Sequence, residues 1–294
     1  MKRYLDLLKK TGKFLPKKKY ILLFSGGFLI ASLWYFYSED KYEKEIFSAM
    51  AGEVYTQAGP FQHNDDTLLI KALHLTHYLA APRLEIFGNK EFNSMQPGII
   101  HPVTFDLLTA KGACGSFSYI LSRLLEEMNI STRIAQMKSN GLYGAHMVVE
   151  AKTANGWVVL DPIFDQYFIK PDGSLASFDD VKTNWNEYAR QVSSDYDLTY
   201  RYEGARYTNW TKIPVIMPAI KQVMYWTIGK EKTDGFSLRS LFLRKYHVLF
   251  LITLTLLILQ ALVIMKMYIR KKQFRITLHE LTWSDKRKHA PFPA

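Results

Sequence analysis

Cys114 is the only cysteine among 294 residues, and it sits in Lys-Gly-Ala-Cys-Gly-Ser-Phe-Ser just ahead of an apolar stripe. His146 follows on a β-prone run, and Asp161 closes the next such run. A nucleophilic thiol, a base to take its proton and a carboxylate to orient that base are the groups covalent thiol catalysis needs. A lone cysteine cannot be half of an intrachain disulfide, so the competing role is that of a small buried thiol. The local sequence favours chemistry.

The elements that must hold these groups follow from periodicity. Phe117, Ile120, Leu121, Leu124, Leu125 and Met128 repeat as one face of an α-helix. Cys114 lies one helical step before Phe117, on the same side and in the first turn. Unpaired backbone N–H groups and the positive end of the helix dipole favour a thiolate there. The same N–H groups can steady the oxyanion of a tetrahedral intermediate. Gly112 and Gly115 bracket the cysteine and permit a tight turn or a close approach to substrate. Asn129 and Ser131 mark the helix end.

A strand is expected over 132–137, a loop over 138–144, and two strands over 145–151 and 157–161, joined by the turn-prone Lys-Thr-Ala-Asn-Gly. Residues opposite one another across a hairpin face the same way. A two-residue loop at Asn155-Gly156 sets His146 against Asp165. A loop centred on Thr153-Ala154 sets it directly against Asp161. His146 and Asp161 share a face in both registers. The second would bring them into hydrogen-bonding range, so a longer or bulged turn is expected. Pro162 stops the strand after Asp161.

Gly112-Ala113-Cys114-Gly115, Gly144-Ala145-His146 and Gly156-Trp157 through Asp161-Pro162, in that order, resemble the transglutaminase-like superfamily, relatives of the papain-type thiol proteases. The resemblance covers roughly residues 106–168, including the helix end Asn-Ile-Ser-Thr and Arg133 at the opening of the next strand. It implies Cys114 as nucleophile, His146 as base and acid, and Asp161 as orienter, with Gly115 and Trp157 as substrate- or oxyanion-binding positions. Crosslinking, hydrolysis and catalytically inactive scaffolds all occur in that superfamily, and the motif does not choose among them. No cofactor and no metal is expected: the sequence has no dense acidic loop, and His74 and His77, a helical turn apart, lack a third ligand.

Two uncharged runs, 20–38 and 246–265, each approach the roughly 20 residues that span a bilayer as helix. Residues 1–19 carry eight Lys or Arg against Asp6, a net +7. Residues 266–294 carry eight against Glu280 and Asp285, a net +6. The total of +11 therefore leaves −2 for everything between. The positive-inside rule then puts both termini in the cytoplasm and the intervening 200 or so residues on the far side, as in an integral protein of a bacterial cytoplasmic membrane. The basic balance reflects topology, so nucleic acid is excluded as a partner. The far side is usually oxidising, and a single thiol there suits a group kept for chemistry.

The chain thus divides into a basic cytoplasmic tail (1–19), a first span (20–38), an extracytoplasmic α+β domain of transglutaminase-like type with a small antiparallel sheet (39–197), an aromatic juxtamembrane segment (198–245), a second span (246–265) and a second basic tail (266–294). Helices are expected over 39–55, 66–80 and 178–188. Residues 198–230 are rich in Tyr, Trp and aliphatic residues. Pro214 and Pro218 argue against one regular helix there, and a segment lying on the bilayer is expected. The leading expectation for function is a membrane-tethered thiol peptidase, amidase or acyltransferase acting on a peptide, protein or glycopeptide near the bilayer. Hydrolysis is preferred because water needs no second binding site. The alternative is a non-catalytic docking subunit of a membrane complex for export or surface-polymer handling.

Overall fold

The computed structural model describes residues 2–61, 65–92 and 96–288, so the last six residues of the C-terminal tail lie outside the described residues. Two compact units emerge: residues 1–38 with 247–294, and residues 39–246.

Two helices are long and apolar enough to cross a membrane, over Tyr20–Phe61 and Lys245–Gln273, and the first unit takes their parts up to residue 38 and from residue 247. Phe24, Phe28 and Trp34 on the first and Ile258, Leu262 and Met265 on the second leave about half or more of their surface uncovered. Apolar side chains left this bare suit a lipid solvent. Gly26 lies at a close approach of the two helices. A Cβ there would lie 3.1 Å from Gln260 Nε2, and the Gln260 amide donates to the Leu22 carbonyl. A small residue lets the two helices approach, and a polar side chain finds a backbone partner across them. Tyr37 and Phe250 add a ring contact at 6.0 Å.

The first span and the helix expected over 39–55 are one element. Helix α1 (Lys2–Ala58) is continuous, because residues 39–58 contain no proline and only Gly52 as a weak helix former. Its last turns bury Phe47, Met50, Ala51 and Val54 in the second unit's core.

That second unit continues with α2 (Asp65–Phe87), α3 (Val103–Thr109) and α4 (Cys114–Glu127). Then come β1 (Thr132–Ser139), β2 (Leu142–Thr153), β3 (Gly156–Asp161) and β4 (Gln166–Tyr167). Helix α2 is longer than expected, and Thr76 does not break its stripe but is fully buried within it. The helix expected over 178–188 is two short ones, α5 (Phe178–Thr183) and α6 (Trp185–Tyr188), joined at Asn184. A reciprocal Ser177–Asp180 capping box starts α5. The remaining elements are β5 (Ala205–Arg206), α7 (Ile216–Ile228), α8 (Lys230–Asp234), α9 (Leu238–Leu241) and α10 (Lys245–Lys288).

The architecture is α+β, with a five-stranded antiparallel sheet in the order β4-β3-β2-β1-β5. Both faces of the sheet are covered, and the pleat sorts neighbouring residues between them. Ile134, Val149, Ala151, Val158 and Leu160 join α1, α2 and α4 in one core. Ala135, Met137, Val148 and Val159 face a second core of Phe168, Phe178, Val181, Tyr196 and Tyr202. His146 shares the parity of Val148, and Asp161 that of Val159, so both emerge on the second, aromatic face.

Residues 198–230 do not behave as one surface segment. Tyr202 is fully buried, the Tyr207 hydroxyl donates to Glu150, and Trp210 stacks on Phe236 at 6.4 Å. Apart from Leu198, large apolar surface is left open from Ile213 onward, at Ile213, Val215, Ile216, Ile220, Val223 and Trp226. Helix α7 starts just beyond Pro214 and places Pro218 in its first turn, where no N–H is missed.

Candidate active site

Cys114 is the first residue of α4. The turn before it is unusual: Ala110 and Ala113 both adopt positive φ, 48° and 45°, conformations that L-residues enter at a cost of roughly 1–3 kcal/mol each. A buried polar chain holds the turn. The Gly112 N–H donates to Ser116 Oγ at 2.8 Å, and Ser116 Oγ–H donates to Asp106 Oδ1 at 2.6 Å. His101 Nε2 meets the same oxygen at 3.0 Å. A Cβ on Gly112 would sit 2.7 Å from Ser116 Oγ, so glycine is what lets the chain close.

The Gly115 N–H is engaged within the chain. It donates to the Gly112 carbonyl at 3.0 Å as part of the same turn. The N–H of Cys114 itself has no backbone acceptor among the described residues, and it is the donor an oxyanion formed at the thiol would meet. Gly115 is also closely packed, with Met147 Cε 2.7 Å from where a Cβ would be.

His146 is placed by two hairpins. The β1–β2 hairpin extends through the span read as a loop. Asn140 (φ 49°) and Gly141 (φ 81°) form its two-residue turn, the arrangement favoured by Asn-Gly. The register then shifts: Lys138 pairs with Tyr143, but Met137 pairs with His146. Gly144 and Ala145 are thus an insertion in β2, with Gly144 at φ 104°. Such bulges re-aim the next side chain, here His146.

The β2–β3 register differs from both expected ones. Thr153 pairs with Gly156, so the loop is Ala154-Asn155. Continued along the strands, this sets Val148 against Asp161 and His146 one diagonal step away. The shared face is retained, and the tight turn needs no extra residue, because a long side chain spans a diagonal. His146 Nε2 meets Asp161 Oδ2 at 2.7 Å with both residues almost wholly buried. Tyr196 donates to the same oxygen at 3.5 Å.

Nδ1 is the imidazole nitrogen that Asp161 leaves unused, and Cys114 lies close enough to act on the imidazole. Burial by itself would lower the imidazole pKa. The Asp161 carboxylate and its hydrogen bond outweigh burial, with a further contribution from Cys114, and push His146 up to about 9. The site therefore favours imidazolium at neutral pH.

Aromatic rings wall the pair. Tyr200 stacks on His146 at 4.4 Å and 10°, Phe164 sits 5.8 Å from it, and Tyr196 packs on Phe164 at 4.6 Å. Helix α2 braces the loop after Asp161. His74 Nδ1 lies 2.7 Å from the Asp165 carboxylate, and His77 Nδ1 lies 3.2 Å from the Pro162 carbonyl. The two histidines are thus engaged with separate partners on one loop.

Trp157 is not at this site. It lies at the opposite end of β3 from Asp161, where the Arg133 guanidinium sits 4.3 Å from its ring and 4.2 Å from that of Tyr207. Arg133 also forms a forked pair with Glu150 at 2.9 and 3.1 Å. The tryptophan belongs to a brace across the sheet. Asp106, Ser116, Phe164, Tyr196 and Tyr200 carry the site and were not singled out in the sequence. Only the Tyr-x-x-x-Tyr spacing at 196 and 200 hints at a shared face. Compared with known proteins, the chain matches no family model, no curated protein and no solved structure.

Proposed function

We propose that this chain is a membrane-tethered thiol enzyme of transglutaminase-like type that cleaves or transfers amide bonds outside the cytoplasm. The observation that carries the reading is the buried 2.7 Å contact of His146 Nε2 with Asp161 Oδ2, beside a cysteine that opens a helix. A buried ion pair of this kind serves no packing purpose that apolar residues would not serve as well.

The chemistry follows from the groups. The Cys114 thiolate attacks an amide carbonyl carbon, and the Cys114 N–H receives the oxyanion. His146 gives its proton to the leaving nitrogen as the C–N bond breaks, which leaves a thioester and a free amine. A water, or a second amine, then gives a proton to His146 and attacks the thioester, releasing an acid or a new amide and restoring the thiolate beside the imidazolium. Asp161 holds the imidazole and stabilises its charged form. Helices over Tyr20–Phe61 and Lys245–Gln273 would confine the enzyme to substrates near a bilayer, with both termini cytoplasmic and no cofactor involved.

Tyr200 lying flat on the imidazole favours a second reading, a docking domain whose triad is covered. The test is the pH dependence of Cys114 alkylation by iodoacetamide in the full-length protein in detergent. An enzyme reacts well below the ordinary thiol pKa of about 8.5, and His146→Ala abolishes that low-pH limb. A profile that follows an ordinary thiol and ignores the substitution would leave only the docking reading.

A further inference from the structure

Apart from the triad, the second unit contains a cavity of about 420 Å³ between α4, residues 208–217 and α9. Its lining includes Lys212, Arg239 and Lys245, and no aspartate or glutamate among the described residues. Three cations line this half-open space and no carboxylate does, although Asp106 and Glu43 act on Lys245 from behind the wall, and an excess of positive charge in a cleft suits an anion. Two of the cations have neighbours in the fold: Arg239 lies close enough to Tyr119 to act on its hydroxyl, and the Lys245 ammonium donates to the His101 carbonyl. An ammonium has three donors and a guanidinium five, so both retain hydrogens for a ligand. Asn209 adds a neutral polar group.

The rest of the wall is apolar, and its rim includes Ile213 and Phe242, each about half exposed. From Ile213 the bare apolar surface continues along the chain through Val215, Ile216, Ile220 and Val223. A free inorganic anion has no use for such a rim, whereas an amphiphile does. Lys245 is also the first residue of α10, whose apolar run follows directly. On the topology read from the tails, Lys245 faces the leaflet on the far side, and a basic residue adjoining a span attracts acidic headgroups wherever its leaflet carries them.

We infer that this cavity binds the phosphate headgroup of an anionic phospholipid, with the acyl chains leaving across Ile213 and Phe242. The inference rests on the membrane reading of α10 but is independent of catalysis by Cys114. Such a site would fix the register of the second unit against the lipid surface.

The experiment is native mass spectrometry of the full-length protein in detergent, titrated with phosphatidylglycerol, with phosphatidylcholine and with inorganic phosphate. One phosphatidylglycerol should be retained selectively. Lys212→Gln and Arg239→Gln should each weaken retention about five- to tenfold, given roughly 1 kcal/mol per basic residue near a lipid surface. Lys212 is exposed, so its variant tests the idea even if Arg239→Gln disturbs Tyr119 and the fold. Equal retention of the two lipids, or retention unchanged in both variants, overturns the proposal. Displacement of the lipid by millimolar phosphate overturns it too, in favour of a soluble anion. Iodoacetamide labelling of Cys114 in the same samples separates the two readings. Selective lipid binding with an inert cysteine would sink only the enzyme, and a reactive cysteine without lipid selectivity would sink only this site.

Discussion

At the scale of single residues, the site depends on the protonation of His146. Its imidazolium is favoured in the folded chain, with a pKa of about 9, against about 6.5 for an unperturbed histidine. A raised pKa stabilises the fold fully below the unfolded value, and the contribution drains away as pH rises through the folded one. The urea midpoint should therefore fall between about pH 6.5 and pH 9 in the wild type. In Asp161→Asn this fall should be much smaller, because the main source of the upward shift is gone. An equal pH dependence in both proteins would show that Asp161 does not hold the charge. Ser116 offers a second test. Ser116→Ala removes the link between the Gly112 N–H and Asp106 and leaves the buried Asp106 oxygen with His101 alone. A loss of about 1–3 kcal/mol is expected, together with slower alkylation of Cys114 by iodoacetamide. Unaltered alkylation would mean that the turn holds its shape without the serine.

At the scale of elements, the two hairpins set the geometry. The Asn140-Gly141 turn and the insertion at Gly144-Ala145 fix where His146 falls on β2. Gly141→Val forces a β-branched residue to φ near 81°, which should cost on the order of 1–2 kcal/mol. It should also lower the alkylation rate by moving the strand end. Thermal melting and labelling on one sample measure both. A loss of stability without loss of reactivity would show that the insertion alone positions His146. The helix stripe on α4 was legible residue by residue, since Phe117, Ile120, Leu121, Leu124 and Leu125 are all fully buried. The β2–β3 register was not, because Lys-Thr-Ala-Asn-Gly supports several turns of similar energy and only packing on both sheet faces selects one. The Asn-Gly signal at 140 and 141 was present but was subsumed in a polar stretch read as a loop.

At the scale of the molecule, the lone cysteine reports topology directly. A small, charged, membrane-impermeant methanethiosulfonate should label Cys114 in right-side-out vesicles and fail to do so in inverted ones. The reverse pattern would overturn the orientation drawn from the charges of the two tails. The sequence by itself determined the two apolar helices, the α4 stripe, the strand order through Asp161 and the shared face of His146 and Asp161. Each of these depends on local composition or on a period of 2 or 3.6 residues. Tertiary structure decided the rest. Trp157 went to Arg133 because the hairpin turn carries it away from Asp161. Tyr200 reached His146, and His74 reached Asp165, across 54 and 91 residues. Contacts between residues so distant in the chain leave no periodic trace. They are fixed only when both faces of the sheet are covered and each buried polar group must find its partner.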